Sequence, residues 1–353
     1  MAIDTIEELK SHVALATKVE LSTIPTYLYA MYSIKDQKSV SAQLIASVVV
    51  EEMLHVCLTA NLTLAIGGDP DFGSSGIPQY PCLMAHHTPD LILELKRCTP
   101  ELVRDTFMTI ESPREPGAPP EDDNYETLGQ FYAALEEAVD DLDEKSDLFG
   151  NHQPERQLSD PSFYGPVMYD AEDSGGLVLV HDGASADEAL EIIIHQGEGL
   201  STERWADPAH QELTHYYKFE RIADGTAPIG PVWPVPNNPR TEDYPDGLRA
   251  PSDLFNALYG LVYVTMNDLF AGTKDQGMLV GRLYTLMSDC LAPTARYLVR
   301  QPLDDDMNAA PTFEIYRFGG DPWAETAQLA REVSKEHPDL NEVASRVSEF
   351  NEA

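Results

Sequence analysis

A chain of 353 residues and 39.1 kDa can enclose one large domain or two medium ones, with interior to spare for a buried site. Sixty Asp and Glu against 23 Lys and Arg leave a formal charge of −37, which argues against an electrostatic grip on nucleic acid or anionic lipid. With 42% apolar residues, no run approaching the ~20 that span a bilayer and no basic-then-apolar leader in MAIDTIEELK, the expected address is the cytoplasm, without a membrane partner. Cys57, Cys82, Cys98 and Cys290 make no C-x-x-C pair, so neither a disulfide framework nor a thiolate zinc site is expected.

From Thr5 to about Ser33, Ile6, Leu9, Val13, Ala16, Ile24, Tyr27 and Met31 recur at steps of three and four, which predicts an amphipathic helix with Glu20 inside its apolar stripe. Pro25 should kink it by removing the bond to the Leu21 carbonyl; the kink either opens space beside Glu20 or only bends the helix round the core. A second helix is predicted from Ser39 or Ser41 to Ile66, ended by Gly67-Gly68-Asp69-Pro70. The short link Lys35-Asp36-Gln37-Lys38 makes the two antiparallel neighbours. Residues 69–183 are Pro- and Gly-rich and read as an insertion with one clear helix near Thr127 to Leu142. A third helix is predicted to begin at the capping-box pattern Ser185-Ala186-Asp187-Glu188 and to run to Gly199. A fourth starts at Asp207-Pro208 and runs to Gly225, giving a second antiparallel pair. Ala227 to Pro251 reads as a long loop, followed by helices over Phe255 to Phe270, Met278 to Val299 and Ala324 to Lys335. The expected division is 1–226 for a helical bundle and 227–353 for a proline-rich loop with helices packed on it.

Aligning these helices by their turns brings out a constellation. Glu20 and Glu52 lie sixteen residues either side of position 36, so the first hairpin sets them level. Glu52-Met53-Leu54-His55 is Glu-x-x-His, and residues three apart share a helix face. Glu198 and Glu212 lie seven residues either side of position 205, and Glu212-Leu213-Thr214-His215 repeats the Glu-x-x-His pattern. One carboxylate from each of two helices and Glu-x-x-His from each of the other two is the donor arrangement of dinuclear iron or manganese bundles. Four buried glutamates this close could not all stay ionised without cations to neutralise them. The expected ligands are Glu20, Glu52, His55, Glu198, Glu212 and His215, with two iron ions, manganese being the competitor.

Each piece has a blander reading, since a single Glu-x-x-His on an exposed face is ordinarily a solvated pair. Glu51 shares the face of His55 as well as Glu52 does, and only the symmetry with the second hairpin favours Glu52. His195 could orient Glu198 or sit on the surface, while His12, His86 and His87 have no partner at metal spacing. Glu111 ends an apolar stretch and could reach the bundle, though it stays outside the expected ligand set. Tyr27, Tyr29, Tyr32, Tyr216 and Tyr217 read mostly as core, with one beside the metals available as a radical or hydrogen-bond donor.

Several segments resemble the ferritin-like domain of the iminophenyl-pyruvate dimer synthases, enzymes of bisindole natural-product pathways. They are Ser22-Thr23-Ile24-Pro25-Thr26-Tyr27-Leu28, Ser47-Val48-Val49-Val50-Glu51-Glu52-Met53-Leu54-His55, Ala60-Asn61-Leu62 and Ala65-Ile66-Gly67-Gly68. Further along come Gln196-Gly197-Glu198-Gly199 and Glu212-Leu213-Thr214-His215-Tyr216-Tyr217, with Ile110-Glu111-Ser112-Pro113 and Tyr125-Glu126-Thr127-Leu128-Gly129-Gln130-Phe131-Tyr132 inside the insertion. The likeness covers roughly residues 5–225 and implies a mainly α, ferritin-like four-helix bundle with a long irregular insertion between its two hairpins and a C-terminal helical extension. It places a dinuclear site on the six residues named above. The dimer synthases are much longer chains, so their coupling reaction carries over only by fold analogy.

The function expected is a non-haem dinuclear iron oxidoreductase that uses O2 as co-substrate to oxidise a small organic, amino-acid-derived metabolite in a biosynthetic pathway, supplied by an electron donor. The alternatives are a ferroxidase or iron-handling protein without an organic substrate, and a noncatalytic interaction module that keeps buried polar residues for specificity.

Overall fold

The computed structural model describes residues 3–115, 117–167, 175–197 and 213–352. Helix α1 (Ile6–Ser33) is capped by Thr5, whose hydroxyl accepts from the Glu8 backbone at 3.2 Å. Its first half buries one stripe, Leu9, Val13, Ala16 and Val19, and from Thr23 onward it is buried all round. Pro25 lies inside it, buried. Helix α2 (Val40–Ala65), capped by Ser39, returns antiparallel and packs along α1 in the most extensive contact among the described helices.

Nearly every residue of α2 is buried, and apolar residues surround the polar row that holds Glu51, Glu52 and His55. It is the one described helix with the length and mean hydropathy, 1.4, of a bilayer-spanning segment, which corrects the expectation that no such run exists. Its apolar window is 72% buried by other helices, the environment of a core helix.

The stretch between the hairpins contributes two helices that pack against the bundle. Helix α3 (100–110) opens on the Thr99 cap and Pro100, is π-wound over Val103–Phe107, and returns to α geometry over Met108–Ile110. Helix α4 (Leu128–Lys145) starts in a reciprocal capping box between Thr127 and Gln130 and leans on α1. A two-residue antiparallel ladder, Cys82–Leu83 (β1) against Ile92–Leu93 (β2), is the one sheet among the described residues.

Helix α5 (Gly183–Gly197) packs between α4 and α2. It begins two residues before the expected Ser185 start, because Asp182 is the cap: its Oδ1 accepts from the Ser185 backbone at 2.9 Å while the Ser185 hydroxyl accepts from the Asp182 backbone at 3.1 Å. Helix α6 (His215–Ala223) packs on α2 and α3. The fourth helix was expected to run unbroken from Asp207, but Leu213 is not helical and Thr214 is extended (φ −69°, ψ 167°) as the cap of α6. Residues 213 and 214 therefore lack the helical spacing on which the Glu212–His215 face argument relied.

Helix α7 (Asp246–Ala271) begins five residues before the expected end of the loop and carries Pro251 in its second turn. It stops at Gly272, whose φ of +68° suits glycine and whose absent Cβ would meet Arg156 Cγ at 2.8 Å. Helix α8 (276–298) is π-wound over Leu286–Leu291; α9 (Pro322–Glu336) and α10 (Asn341–Glu352), the latter unforeseen, pair and pack on α7 and α8. Leu21, Ile24 and Leu28 of α1 and Val49 and Met53 of α2 face Tyr259, Tyr263 and Met287 across an apolar cavity of about 280 Å³. That face lies roughly a quarter turn round α1 from Glu20. Ile24, one turn after Glu20, lines its near edge.

Candidate metal centre

Six helices converge on one buried polar cluster. Helix α1 supplies Glu20, α2 supplies Glu51, Glu52 and His55, Glu111 ends α3, and His215 opens α6. Tyr132 enters from α4 and Gln196 from α5. Glu20, Glu51, Glu52, His55, Glu111 and His215 are each no more than 2% exposed. Burying this many ionisable groups together is costly unless something compensates their charge.

Among the described residues the cluster divides into two three-donor groups that could each hold a metal ion, Glu20–Glu52–His55 and Glu52–Glu111–His215. Glu52 belongs to both. In the first, His55 Nδ1 stands 3.3 Å from Glu20 Oε2. In the second, His215 Nδ1 stands 3.0 Å from Glu52 Oε1 and 3.3 Å from Glu111 Oε2. Donors at about 2.1 Å from a common ion and at right angles around it sit about 3 Å apart, so these separations suit a small divalent cation. The two imidazoles stack at 5.4 Å between centroids, 26° from parallel.

Hydrogen bonds fix every oxygen-bearing arm of the cluster. Thr23 donates to Glu52 Oε2 at 2.9 Å. Tyr27 donates to Glu111 Oε1 at 2.5 Å, and the Tyr132 hydroxyl donates to Glu20 Oε1. Behind the histidines, His55 Nε2 meets Gln196 Oε1 at 2.8 Å and His215 Nε2 meets Glu51 Oε2 at 2.8 Å. Lys218, fully buried, donates to both Glu51 oxygens at 2.6 and 2.5 Å. Phe107 and Phe219 pack on the Tyr27 ring at 4.7 and 5.0 Å, an apolar wall on that side.

The electrostatics follow from this placement. Burial, then the negative Glu20 and Glu111, pushes the Glu52 carboxyl well above its ordinary range. Burial also opposes ionisation of Glu51, but the Lys218 ammonium and His215 outweigh it and hold that carboxyl down to about 2. For Glu20, burial is outweighed by His55, and its value falls. Burial works against a charged His215, yet Glu111 and the other carboxylates around it raise its affinity for a proton well above normal. The carboxylates that draw a proton to His215 would equally favour a cation placed among them.

Of the six residues expected from sequence, Glu20, Glu52, His55 and His215 are brought together, and Glu198 and Glu212 lie outside the described residues. Glu52 rather than Glu51 faces both groups, because Lys218 and His215 Nε2 already occupy Glu51. Glu111, left outside the expected set, belongs to one of the groups. His195 was weighed as a partner for Glu198, outside the described residues; the side chain behind His55 comes from the next residue, Gln196. His12 and His86 do find acidic partners, Asp122 and Asp123, away from the centre. Tyr27 reaches the centre; Tyr29 donates to the Pro236 carbonyl, Tyr32 borders the apolar cavity, and Tyr216 and Tyr217 pack edge to face. Lys218 carried a legible signal, three residues after His215 on the same face; Tyr132 and Gln196 carried only their places in family-like segments.

Comparison with known proteins agrees with this architecture. Over 85% of its length the chain is 26% identical to a 2-imino-3-(indol-3-yl)propanoate dimerase of Chromobacterium violaceum. It covers 33% of that protein, spanning about a third of the length of this curated relative. The solved structure of a ferritin-like protein from Caulobacter vibrioides superposes with a TM-score of 0.60 at 26% identity, over 83% of this chain and 96% of that one. The Ferritin-like family profile matches residues 13–224, the segment that holds every residue of the cluster described above, and the chain belongs to that family.

Proposed function

We propose that this protein is an enzyme that holds two iron ions on Glu20, Glu52, His55, Glu111 and His215 and uses O2 to oxidise a small, amino-acid-derived metabolite. The observation that carries the reading is Glu52, a carboxylate common to two three-donor groups, each of which could hold one ion. Mixed imidazole and carboxylate donors favour iron, with manganese as competitor. A bound pair of such ions would supply the redox chemistry for reducing O2.

The chain's own residues do the rest. Thr23, Tyr27 and Tyr132 each donate a hydrogen bond to one carboxylate, fixing its free oxygen while the other faces the centre. Gln196 and Glu51 hold the two imidazoles by Nε2, which leaves Nδ1 as the inward-facing nitrogen. Burial at the Phe107–Phe219 wall keeps water from one side of the cluster. The substrate class rests on the likeness to a dimerase named for an indole-derived imino acid.

The test is anaerobic loading with Fe(II), then exposure to O2 with and without aromatic amino and imino acids. Two irons per chain, an O2-dependent absorbance change and a new organic product are expected, with Glu20→Ala and His215→Ala abolishing the change. Full signal in both variants would remove these residues from the centre. Iron oxidation with no product from any aromatic substrate, in a very large hollow oligomer by size-exclusion chromatography, would replace this reading with iron storage.

A further inference from the structure

The two halves of the centre repeat one plan. In each, a tyrosine hydroxyl donates to the outer carboxylate, Tyr132 to Glu20 and Tyr27 to Glu111. In each, the histidine turns Nδ1 inward and is backed at Nε2, at the same 2.8 Å. The halves differ in what does the backing. Behind His55 it is the neutral amide of Gln196. Behind His215 it is the carboxylate of Glu51, clasped on both oxygens by the buried Lys218.

That difference has a chemical consequence. When an imidazole gives its Nδ1 electron pair to a cation, positive charge develops on the ring and on the Nε2 proton. A carboxylate stabilises that charge more than an amide does, through a charge-assisted hydrogen bond. Lys218 fixes where that carboxylate sits. Glu51 is adjacent in sequence to Glu52, and a loose carboxylate there could swing in as a competing ligand. With both oxygens tied to the Lys218 ammonium, it stays behind the histidine.

We propose that the centre has two unequal metal positions, and that the Glu51–Lys218 pair is a positioning device that makes the Glu52–Glu111–His215 half the tighter and first filled. This rests on the reading of the cluster as a metal centre. Changes in a ligand's outer partner shift metal affinity by about 10- to 100-fold, which sets the size of the gap expected between the two steps.

The experiment is an anaerobic titration of the metal-free full-length protein with Co(II), read by calorimetry and by the cobalt absorption bands. Wild type should show two steps at least about tenfold apart. The double variant Glu51→Gln with Lys218→Met removes the buried ion pair as a unit and gives His215 an amide backing like that of His55. Its first step should weaken by about 10- to 100-fold and change its band, while the second step keeps both affinity and spectrum. Gln196→Glu provides an independent arm and should tighten the second step, so it decides the matter if the double variant does not fold. Two equal steps in wild type, or an unchanged gap in the folded variants, would overturn the proposal while leaving the metal centre standing. No cobalt binding to wild type would overturn the centre itself and this inference with it.

Discussion

Glu52→Gln gives the centre its sharpest test, because the substitution changes one shared carboxylate into an isosteric amide and should move stability in opposite directions with and without metal. Take the loaded protein first. An ion at a hundredfold excess over its Kd adds about 2.7 kcal/mol of stability, so two ions add about 5.4 kcal/mol. An unfolding entropy of about 2.1 cal/mol/K per residue over 353 residues comes to ~0.74 kcal/mol/K, and the metal-induced rise in Tm is then about 7 °C. Without Glu52 each group keeps only two of its three donors, and the rise should fall below about 2 °C. Metal-free protein should behave the other way. Burial and the neighbouring Glu20 and Glu111 raise the Glu52 carboxyl above its ordinary value of 4.5, so the folded state holds that proton more tightly than the unfolded chain does. Stability from this group is complete below pH 4.5 and is lost as pH rises through the raised value. The amide has no proton to lose, and metal-free Glu52→Gln should gain on wild type as pH rises from 5 towards 8. Differential scanning fluorimetry with and without metal, at several pH values, reads both effects. A full metal-induced shift in Glu52→Gln, or a metal-free wild type that gains on the variant with rising pH, would refute the reasoning.

Other perturbations follow from the same contacts. Glu111→Ala should lower metal stoichiometry from two ions to one, measured by elemental analysis after anaerobic loading, because the Glu20–Glu52–His55 group keeps all its donors. Lys218→Met strands a buried carboxylate and should destabilise the metal-free protein by about 3–5 kcal/mol in denaturant melts, more than when Glu51→Gln accompanies it. One turn after Tyr132 on α4, burial and then Asp187, Glu191 and Asp140 push half-buried Glu136, between α4 and α5, up to about 7. Its raised value makes wild type lose stability as pH climbs from about 4.5 to 7, so Glu136→Gln should be more stable at pH 8 by about 1 kcal/mol, after discounting for solvent screening, and equal near pH 4.

What made much of this centre legible was periodicity. Glu20, Glu52 and His55 sit on long, regular helices joined by a short link, so counting residues from position 36 was equivalent to measuring along the bundle. The same arithmetic lost its footing in the second half, where Thr214 is extended and His215 starts its helix rather than continuing one. Periodicity cannot see a chain that enters a site by its end.

Glu111 shows the limit most clearly. It ends a helix whose middle is π-wound, and the extra residue in that winding rotates everything after Phe107 relative to an α-helical count. A count at 3.6 residues per turn keeps Glu111 on the face of Phe107 but, blind to the π turn, misplaces both relative to the residues before Val103. The structure hangs Glu111 one turn beyond Phe107, with its backbone N–H donating to the Phe107 carbonyl at 3.1 Å, and carries both to the same tyrosine: Phe107 packs on the Tyr27 ring while Glu111 takes the Tyr27 hydroxyl. Tyr27 was itself read as core, and its ring is core. Only its oxygen is not, and that oxygen is what joins a helix from the irregular stretch to the regular hairpin. The irregular segment is thereby more than a connection: its α3 and α4 deliver Glu111 and Tyr132 to opposite ends of the centre, each paired with a partner on α1. A cluster assembled from two long helices and two short ones of different winding depends on tertiary contacts for half its donors, and local sequence pattern can announce only the half that local structure positions.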